Sequence, residues 1–149
     1  MKLRYLAVVA LAAVSTLAQA QSKPDDLIRM RQGAMELIGR NVGALAAVAK
    51  GDVPFNKEAV LSRAEYINYL ATDLYGAGYA PGSDKGAPTR ASAKIWSDPD
   101  GYKAAAEKMT TAVRKLNTVT DVASLKTALA DVQVNCRSCH ESYRDNAFH

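Results

Sequence analysis

Apolar residues recur at spacings of three and four along four segments of this 149-residue chain, whereas no segment alternates in the manner of a β-strand. Such spacing gives a helix one apolar side, and four amphipathic helices predict an all-α, antiparallel four-helix bundle. The first helix is predicted from Pro24 to about Lys50, where Gly51 ends it. Its inward side is predicted to contain Leu27, Arg31, Ala34, Ile38, Val42, Leu45 and Ala49.

Three further helices follow from the same pattern. The second is predicted over residues 56–75 with Asn56 as its N-cap, the third over 98–116, and the fourth from about residue 121. The segment between the second and third helices, 76–90, is rich in glycine and proline and is therefore predicted to be a loop. Loops of this length in a compact domain are commonly functional.

The first twenty residues have the form of a secretory signal peptide. A basic start is followed by an apolar run from Leu6 to Val14 and by small residues ending at Ala20. This pattern predicts export and cleavage after Ala20. A membrane anchor is less favoured because the apolar run is shorter than the roughly 20 residues that span a bilayer. The remainder, 21–149, is expected to be one domain without a membrane span, and it has no Lys/Arg cluster typical of nucleic-acid binding.

The only two cysteines, Cys136 and Cys139, directly precede His140. On a helix these residues stand at i, i+3 and i+4 and share one side, which is also the apolar side of the last helix. A disulfide across so short a loop would constrain the unfolded chain very little. Cys-x-x-Cys-His is instead the attachment signature of c-type haem, which predicts one haem c per chain, bound by two thioethers and ligated through His140.

Two other uses of this cluster are less well supported. A zinc site made of the two cysteines, His140 and His149 would depend on the last residue of the chain. A thioredoxin-like redox pair would require a βαβ pattern, which the sequence lacks.

No methionine follows His140. A sixth iron ligand from the protein would therefore come from upstream or from His149, and otherwise the iron would be five-coordinate and open to small molecules. Of the upstream methionines after the signal peptide, Met30 and Met109 are interpreted as core filling, whereas Met35 has a more informative context.

Four stretches, "KPDDLIRMRQGAM", "AKGDVPF", "KIWSD" and "CRSCHESYR", resemble the cytochrome c′ family of class II c-type cytochromes. The resemblance covers essentially all of 21–149. It implies a left-handed bundle with one covalent haem between the helices, usually a periplasmic homodimer packed through its first two helices. It also implies a high-spin, five-coordinate iron that binds nitric oxide and carbon monoxide, and a role as an electron carrier with redox partner proteins.

The resemblance further implies several cofactor contacts. Arg31 and Gln32 match a pair near the haem propionates, and Met35 matches the residue over the distal face of the haem. Thr89 and Arg90 match a segment at the haem edge, and the resemblance also places Arg144 beside the proximal histidine. An arginine in an inward stripe is costly unless it is paired, and a propionate would pair with Arg31.

Two functions are compatible with these residues. In the first, Met35 only crowds the site and the iron binds diatomic gases. In the second, Met35 is the sixth ligand of a six-coordinate, low-spin electron carrier, as in a subgroup of class II cytochromes. The Arg31–Gln32 pair favours the first. No nucleophile–base pair, second metal site or cleft motif indicates an enzyme.

Overall fold

The computed structural model describes residues 23–148 and is built from helices. The helices are α1 (Pro24–Lys50), α2 (Lys57–Ala77), α3 (Lys94–Ser97), α4 (Pro99–Lys115) and α5 (Val122–Tyr143), and a 3-10 turn (Leu116–Thr118) follows α4. The predicted signal peptide and His149 lie outside the described residues. Over the described range, none of the helices combines the length and apolar character that a membrane span requires.

Local sequence determines where the long helices begin and end. α1 has proline in its first turn and ends at Gly51, whose φ of 92° is a left-handed conformation that suits glycine. The Asn56 side chain accepts a hydrogen bond from the Ala59 amide at the start of α2. Asp121 and Ser124 form a reciprocal capping box at the start of α5. The four predicted long helices are confirmed, with small differences at their ends.

The four long helices bury a common apolar core that contains Leu45, Ile67, Val113 and Leu125. On α1 the predicted inward stripe is largely confirmed, but its first position is wrong: Ile28 is fully buried, and Leu27 is only half-buried. Successive residues are about 100° apart around a helix, so the side of α1 that faces inward at its start passes through Ile28 rather than Leu27.

The apolar core fills one end of the bundle, and the other end surrounds a cavity. This second end is formed by the start of α1, the end of α2, the start of α4 and the end of α5, as an antiparallel arrangement requires. The predicted bundle therefore has its functional residues gathered at one end.

A long connection, residues 78–92, crosses this open end, and we refer to it as the strap. It begins later than predicted because α2 continues to Ala77, and it leads into the short helix α3, which was not predicted. At its far end an isolated antiparallel bridge pairs Ala91 with Arg144, where the Ser92 amide donates to the Tyr143 carbonyl at 3.0 Å. The strap is therefore attached to the end of the helix that carries the cysteines.

Candidate functional site

The open end of the bundle contains a cavity of about 580 Å³. This volume lies within the range of about 300–1,000 Å³ that is usual for ligand pockets. All four long helices and the strap contribute to its walls. Eight of the residues predicted for the site line it: Arg31, Gln32, Met35, Thr89, Arg90, Cys139, His140 and Arg144.

The remaining predicted residue, Cys136, lies just outside the cavity wall. It is one helical turn before Cys139, and its Sγ is 3.9 Å from the Sδ of buried Met109. Both cysteines are free thiols and half-buried. Burial raises the pKa of each thiol, so both are held in the neutral form.

His140 lies on the cavity side of α5 and is half-buried. Burial lowers its pKa, and the positive charges of Arg144 and Arg90 lower it further. All three influences favour neutral imidazole, the form that ligates a metal ion. The helix thus presents a neutral ligand together with the two thiols.

Arg31 is only 2% exposed, as its place in the inward stripe predicted. One terminal nitrogen, Nη1, donates to the Ser83 carbonyl at 2.7 Å and to the Ser83 Oγ at 3.2 Å, and Nη2 donates to the Thr89 Oγ1 at 3.1 Å. The guanidinium carbon also lies 5.2 Å from the ring centroid of Tyr79 and 5.5 Å from that of Trp96. The buried Nε has no partner in the part of the chain that the structure describes.

These contacts could not be read from the sequence, because the partners of Arg31 belong to a loop about fifty residues away. The predicted contact of Arg31 with a propionate stays a prediction. Burial lowers the pKa of Arg31, but a guanidinium stays charged in proteins.

The other polar residues of the wall are held by the strap or the chain end. Gln32 Nε2 donates to the Pro88 carbonyl at 2.9 Å, and Arg90 Nε donates to the Asp145 carbonyl at 2.8 Å. Arg144 is exposed at the rim. Gln32, Thr89, Arg90 and Arg144 therefore form a polar edge on an otherwise mostly apolar cavity.

Four tyrosines that were not predicted for the site also line the cavity: Tyr75, Tyr79, Tyr102 and Tyr143. Tyr102 lies at their centre, with its ring centroid 5.1 Å from that of Tyr79 and 5.6 Å from that of Tyr143. Burial raises the pKa of Tyr79 to about 12 and also raises the pKa values of Tyr75 and Tyr102, so these hydroxyls stay protonated.

Sequence signals for some of these tyrosines exist. Tyr143 stands three residues after His140 on α5, and Tyr75, in the last turn of α2, stands four residues before Tyr79 in the strap. No comparable spacing marks Tyr102, whose position follows from the packing of α4 against its neighbours. Glu36, Pro88, Ala91, Ile95 and Phe148 complete the lining.

Comparison with known proteins decides the family. A sequence profile described as Cytochrome C′ matches residues 26–144. The chain belongs to the cytochrome c′ family.

Individual relatives agree with this assignment. Cytochrome c′ of Rubrivivax gelatinosus is 36% identical over 126 residues, which cover 83% of this chain and 97% of that protein. Its crystal structure superposes with a TM-score of 0.78 at 35% identity, over 83% of this chain and 98% of that one. A cytochrome c-554 of Cereibacter sphaeroides is 32% identical over 90% of both chains. A nitric oxide complex of a variant cytochrome c′ from Alcaligenes xylosoxidans has a TM-score of 0.77 at 29% identity, covering 85% and 98%.

Cytochrome c′ proteins carry covalently attached haem c, and the residues of this cavity fit that group. Two free thiols and a neutral imidazole come from one side of α5, and aromatic rings supply apolar walls. The polar edge, with the unpartnered Nε of Arg31, suits the carboxylate side of a haem. Within residues 23–148, no three His, Cys, Asp or Glu side chains are arranged to hold a bare metal ion. The alternative zinc set includes His149, which is outside the described residues.

Proposed function

We propose that this protein is a periplasmic haem c protein that binds nitric oxide and carbon monoxide at a five-coordinate iron. When bound, haem c supplies an iron atom that takes up a diatomic ligand or an electron. The proposal rests chiefly on one observation: His140 lines a largely apolar cavity together with Cys139 and Met35. Burial and the charges of two arginines lower the pKa of His140, which agrees with a neutral imidazole ligand. The nitric oxide complex of the Alcaligenes xylosoxidans relative supports it.

In this proposal the residues at the cavity divide into groups with different roles. Cys136 and Cys139 bind the haem covalently, and His140 is the iron ligand. The polar edge of Gln32, Thr89, Arg90 and Arg144, together with Arg31, faces the propionates. The tyrosine rings exclude water, and this favours small neutral ligands over charged ones.

Met35 decides between this function and the second candidate. It is half-buried on α1 and lines the same cavity as His140, so a thioether is available on the side of the cavity that α1 forms. As a sixth ligand it would close the iron to gases and favour electron transfer with a redox partner protein. We favour crowding without ligation because Gln32 and Arg31 next to it keep the pair typical of five-coordinate members.

Absorption and resonance Raman spectra of the reduced holoprotein, with and without carbon monoxide, test the proposal. We expect a high-spin spectrum that changes on addition of carbon monoxide, and severalfold faster carbon monoxide association in Met35→Ala because the cavity becomes less crowded. Met30→Ala is the matched control, since Met30 is not core filling as predicted: it is 38% exposed on the same helix and does not line the cavity. A low-spin spectrum that ignores carbon monoxide, and becomes high-spin in Met35→Ala, would establish the electron carrier instead.

The organisation of the chain forms part of the same proposal. Residues 1–20 direct export and are removed, and 21–149 form one domain that pairs with a second copy through α1 and α2. Amino-terminal sequencing of the protein from a periplasmic fraction should find Gln21 as the first residue. A start at Met1 would contradict export with cleavage.

A further inference from the structure

The strap is held against the bundle mainly by α1. The Asp25 carboxylate accepts a hydrogen bond from the Ala87 amide at 2.8 Å, and Gln32 donates to Pro88. The central contact is Arg31, which bonds Ser83 near the start of the strap and Thr89 near its end. One side chain thus joins two points of the loop that are six residues apart.

The burial of this contact distinguishes it from a surface interaction. Ser83 is fully buried and Thr89 is 3% exposed, although most residues between them are exposed. The Thr89 Oγ1 also accepts from the Ala91 amide at 3.1 Å, so the hydroxyl that Arg31 holds organises the next turn of the strap. We call the contact of Arg31 with Ser83 and Thr89 the anchor. It is buried, whereas most residues between Ser83 and Thr89 are exposed.

Within residues 23–148, the hydrogen-bond acceptors of Arg31 are neutral oxygens: Gly78 O, Ser83 O, Ser83 Oγ and Thr89 Oγ1. A buried guanidinium without its acceptors would be strongly unfavourable, so the charge holds these oxygens in place. Conversely, loss of the guanidinium leaves several strap oxygens buried without a donor, which favours a strap that opens to water.

We propose that Arg31 is a positioning residue that holds the strap closed, and that opening of the strap at this anchor controls how fast small ligands reach the cavity. Five strap residues line the cavity, namely Tyr79, Pro88, Thr89, Arg90 and Ala91. Movement of the strap therefore removes one wall of the cavity. The part of the inference that concerns ligand entry rests on the proposed function, whereas the anchoring role does not.

Hydrogen exchange of the holoprotein, followed by mass spectrometry on peptides from 78–92, tests the anchor. In Arg31→Met we expect exchange in the strap to be about tenfold faster or more, because hydrogen bonds to a buried charged group are lost. In Arg31→Lys, which keeps the charge but has fewer donors, the rate of strap exchange should lie between those of Arg31→Met and the unsubstituted protein. Arg29→Met is the matched control, since Arg29 is exposed on the same helix, and it should leave strap exchange unchanged.

Carbon monoxide association after flash photolysis of the reduced holoproteins tests the consequence for ligand entry. The association rates should rise in the same order as the rates of strap exchange, from the unsubstituted protein through Arg31→Lys to Arg31→Met. Should Arg31→Met fail to fold, Thr89→Val carries the test, because it removes one acceptor of Arg31 and should also speed strap exchange.

Unchanged strap exchange in a folded Arg31→Met protein, or in Thr89→Val, would overturn the anchoring role. Faster exchange with unchanged association rates would keep the anchor and reject control of entry. If the unsubstituted protein takes up no carbon monoxide, the proposed function fails and control of entry with it, while exchange still decides the anchor.

Discussion

The hydroxyl groups of two tyrosines in the cavity wall have opposite effects on the stability of the protein. The Tyr143 hydroxyl donates to the Asp98 carboxylate at 3.1 Å. The Tyr102 hydroxyl is buried and has no hydrogen-bond partner among residues 23–148, although its ring packs against that of Tyr143. A buried hydroxyl without a partner is unfavourable, whereas a paired one is stabilising.

Substitution by phenylalanine should therefore change the free energy of unfolding in opposite directions at the two sites. Tyr102→Phe is expected to raise the free energy of unfolding by about 1 kcal/mol, since it removes an unpaired buried hydroxyl. Tyr143→Phe is expected to lower it, because Asp98 keeps the Gly101 amide as a donor but loses the Tyr143 hydroxyl. Guanidinium-induced unfolding of the two holoproteins measures both values. A marked loss of stability in Tyr102→Phe would show that its hydroxyl has a partner in the holoprotein.

At this scale the sequence predicted the residues that carry recognisable chemistry and missed those defined by packing. Cys139 and His140 were predicted from their spacing, and Met35 from the resemblance of its surroundings. Tyr102 was not predicted, because its place in the wall depends on how α4 rotates against α2 and α5. Such rotation depends on all contacting side chains at once and leaves no short local pattern.

Helix ends are the elements that local sequence determines most directly. Asn56 caps α2 by accepting a hydrogen bond from the Ala59 amide. At the start of α5, the side chains of Asp121 and Ser124 each accept a hydrogen bond from the other residue's amide. These caps satisfy amide groups that lack partners inside their helices. The helices that form the cavity therefore begin at defined residues.

Removal of the α2 cap should be measurable. Asn56→Ala is expected to lower the free energy of unfolding by about 1 kcal/mol, because the Ala59 amide loses its acceptor. Asn56→Asp is the control, since it keeps an oxygen at the same position, and it should retain most of the stability. Thermal unfolding of the holoproteins followed by circular dichroism gives the comparison. Equal losses in both variants would exclude capping as the cause.

Elements formed by long-range contacts were beyond sequence prediction. The short helix α3 has only four residues, too few to show a helical period. It is stabilised by contacts elsewhere: Ile95 is buried at the cavity, and Trp96 Nε1 donates to the Ala80 carbonyl at 3.3 Å. The long loop was predicted to be functional, but its attachment to α1 follows from contacts between residues more than fifty positions apart.

Because its buried tyrosines ionise only at high pH, the whole molecule should lose stability as the pH rises through the alkaline range. A tyrosine ionises near pH 10 in the unfolded chain, whereas burial raises the pKa of Tyr79 to about 12. Above about pH 10 the unfolded state thus binds fewer protons than the folded state, so stability falls as pH rises. We expect Tyr79→Phe to lose less stability between about pH 10 and 12 than the unsubstituted protein. Denaturant unfolding at several alkaline pH values measures this difference, and parallel curves would contradict it.

Exposed apolar side chains on the first two long helices are consistent with the proposed homodimer. They are Met30 and Leu37 on α1 and Tyr66 and Tyr69 on α2. Tyr69→Glu is expected to weaken the dimer by about tenfold or more, since aromatic residues often dominate interfaces. Val134→Glu on α5 is the control, because Val134 is 63% exposed and Tyr69 68%. Sedimentation velocity measures the association; a monomeric unsubstituted protein, or equal weakening by both changes, would contradict this interface.

The strap also has an evolutionary consequence. Ser83 and Thr89 are bonded to Arg31, and a Cβ at Gly86 would collide with Asp25, so these three positions accept little variation. The buried residues of the apolar core described above lie outside the strap, and Tyr79 at the start of the strap packs against that core. Selection can therefore alter the wall that small molecules meet without repacking the bundle. Divergence among descendants of such a protein would change which ligands enter, and how quickly, while the scaffold remains the same.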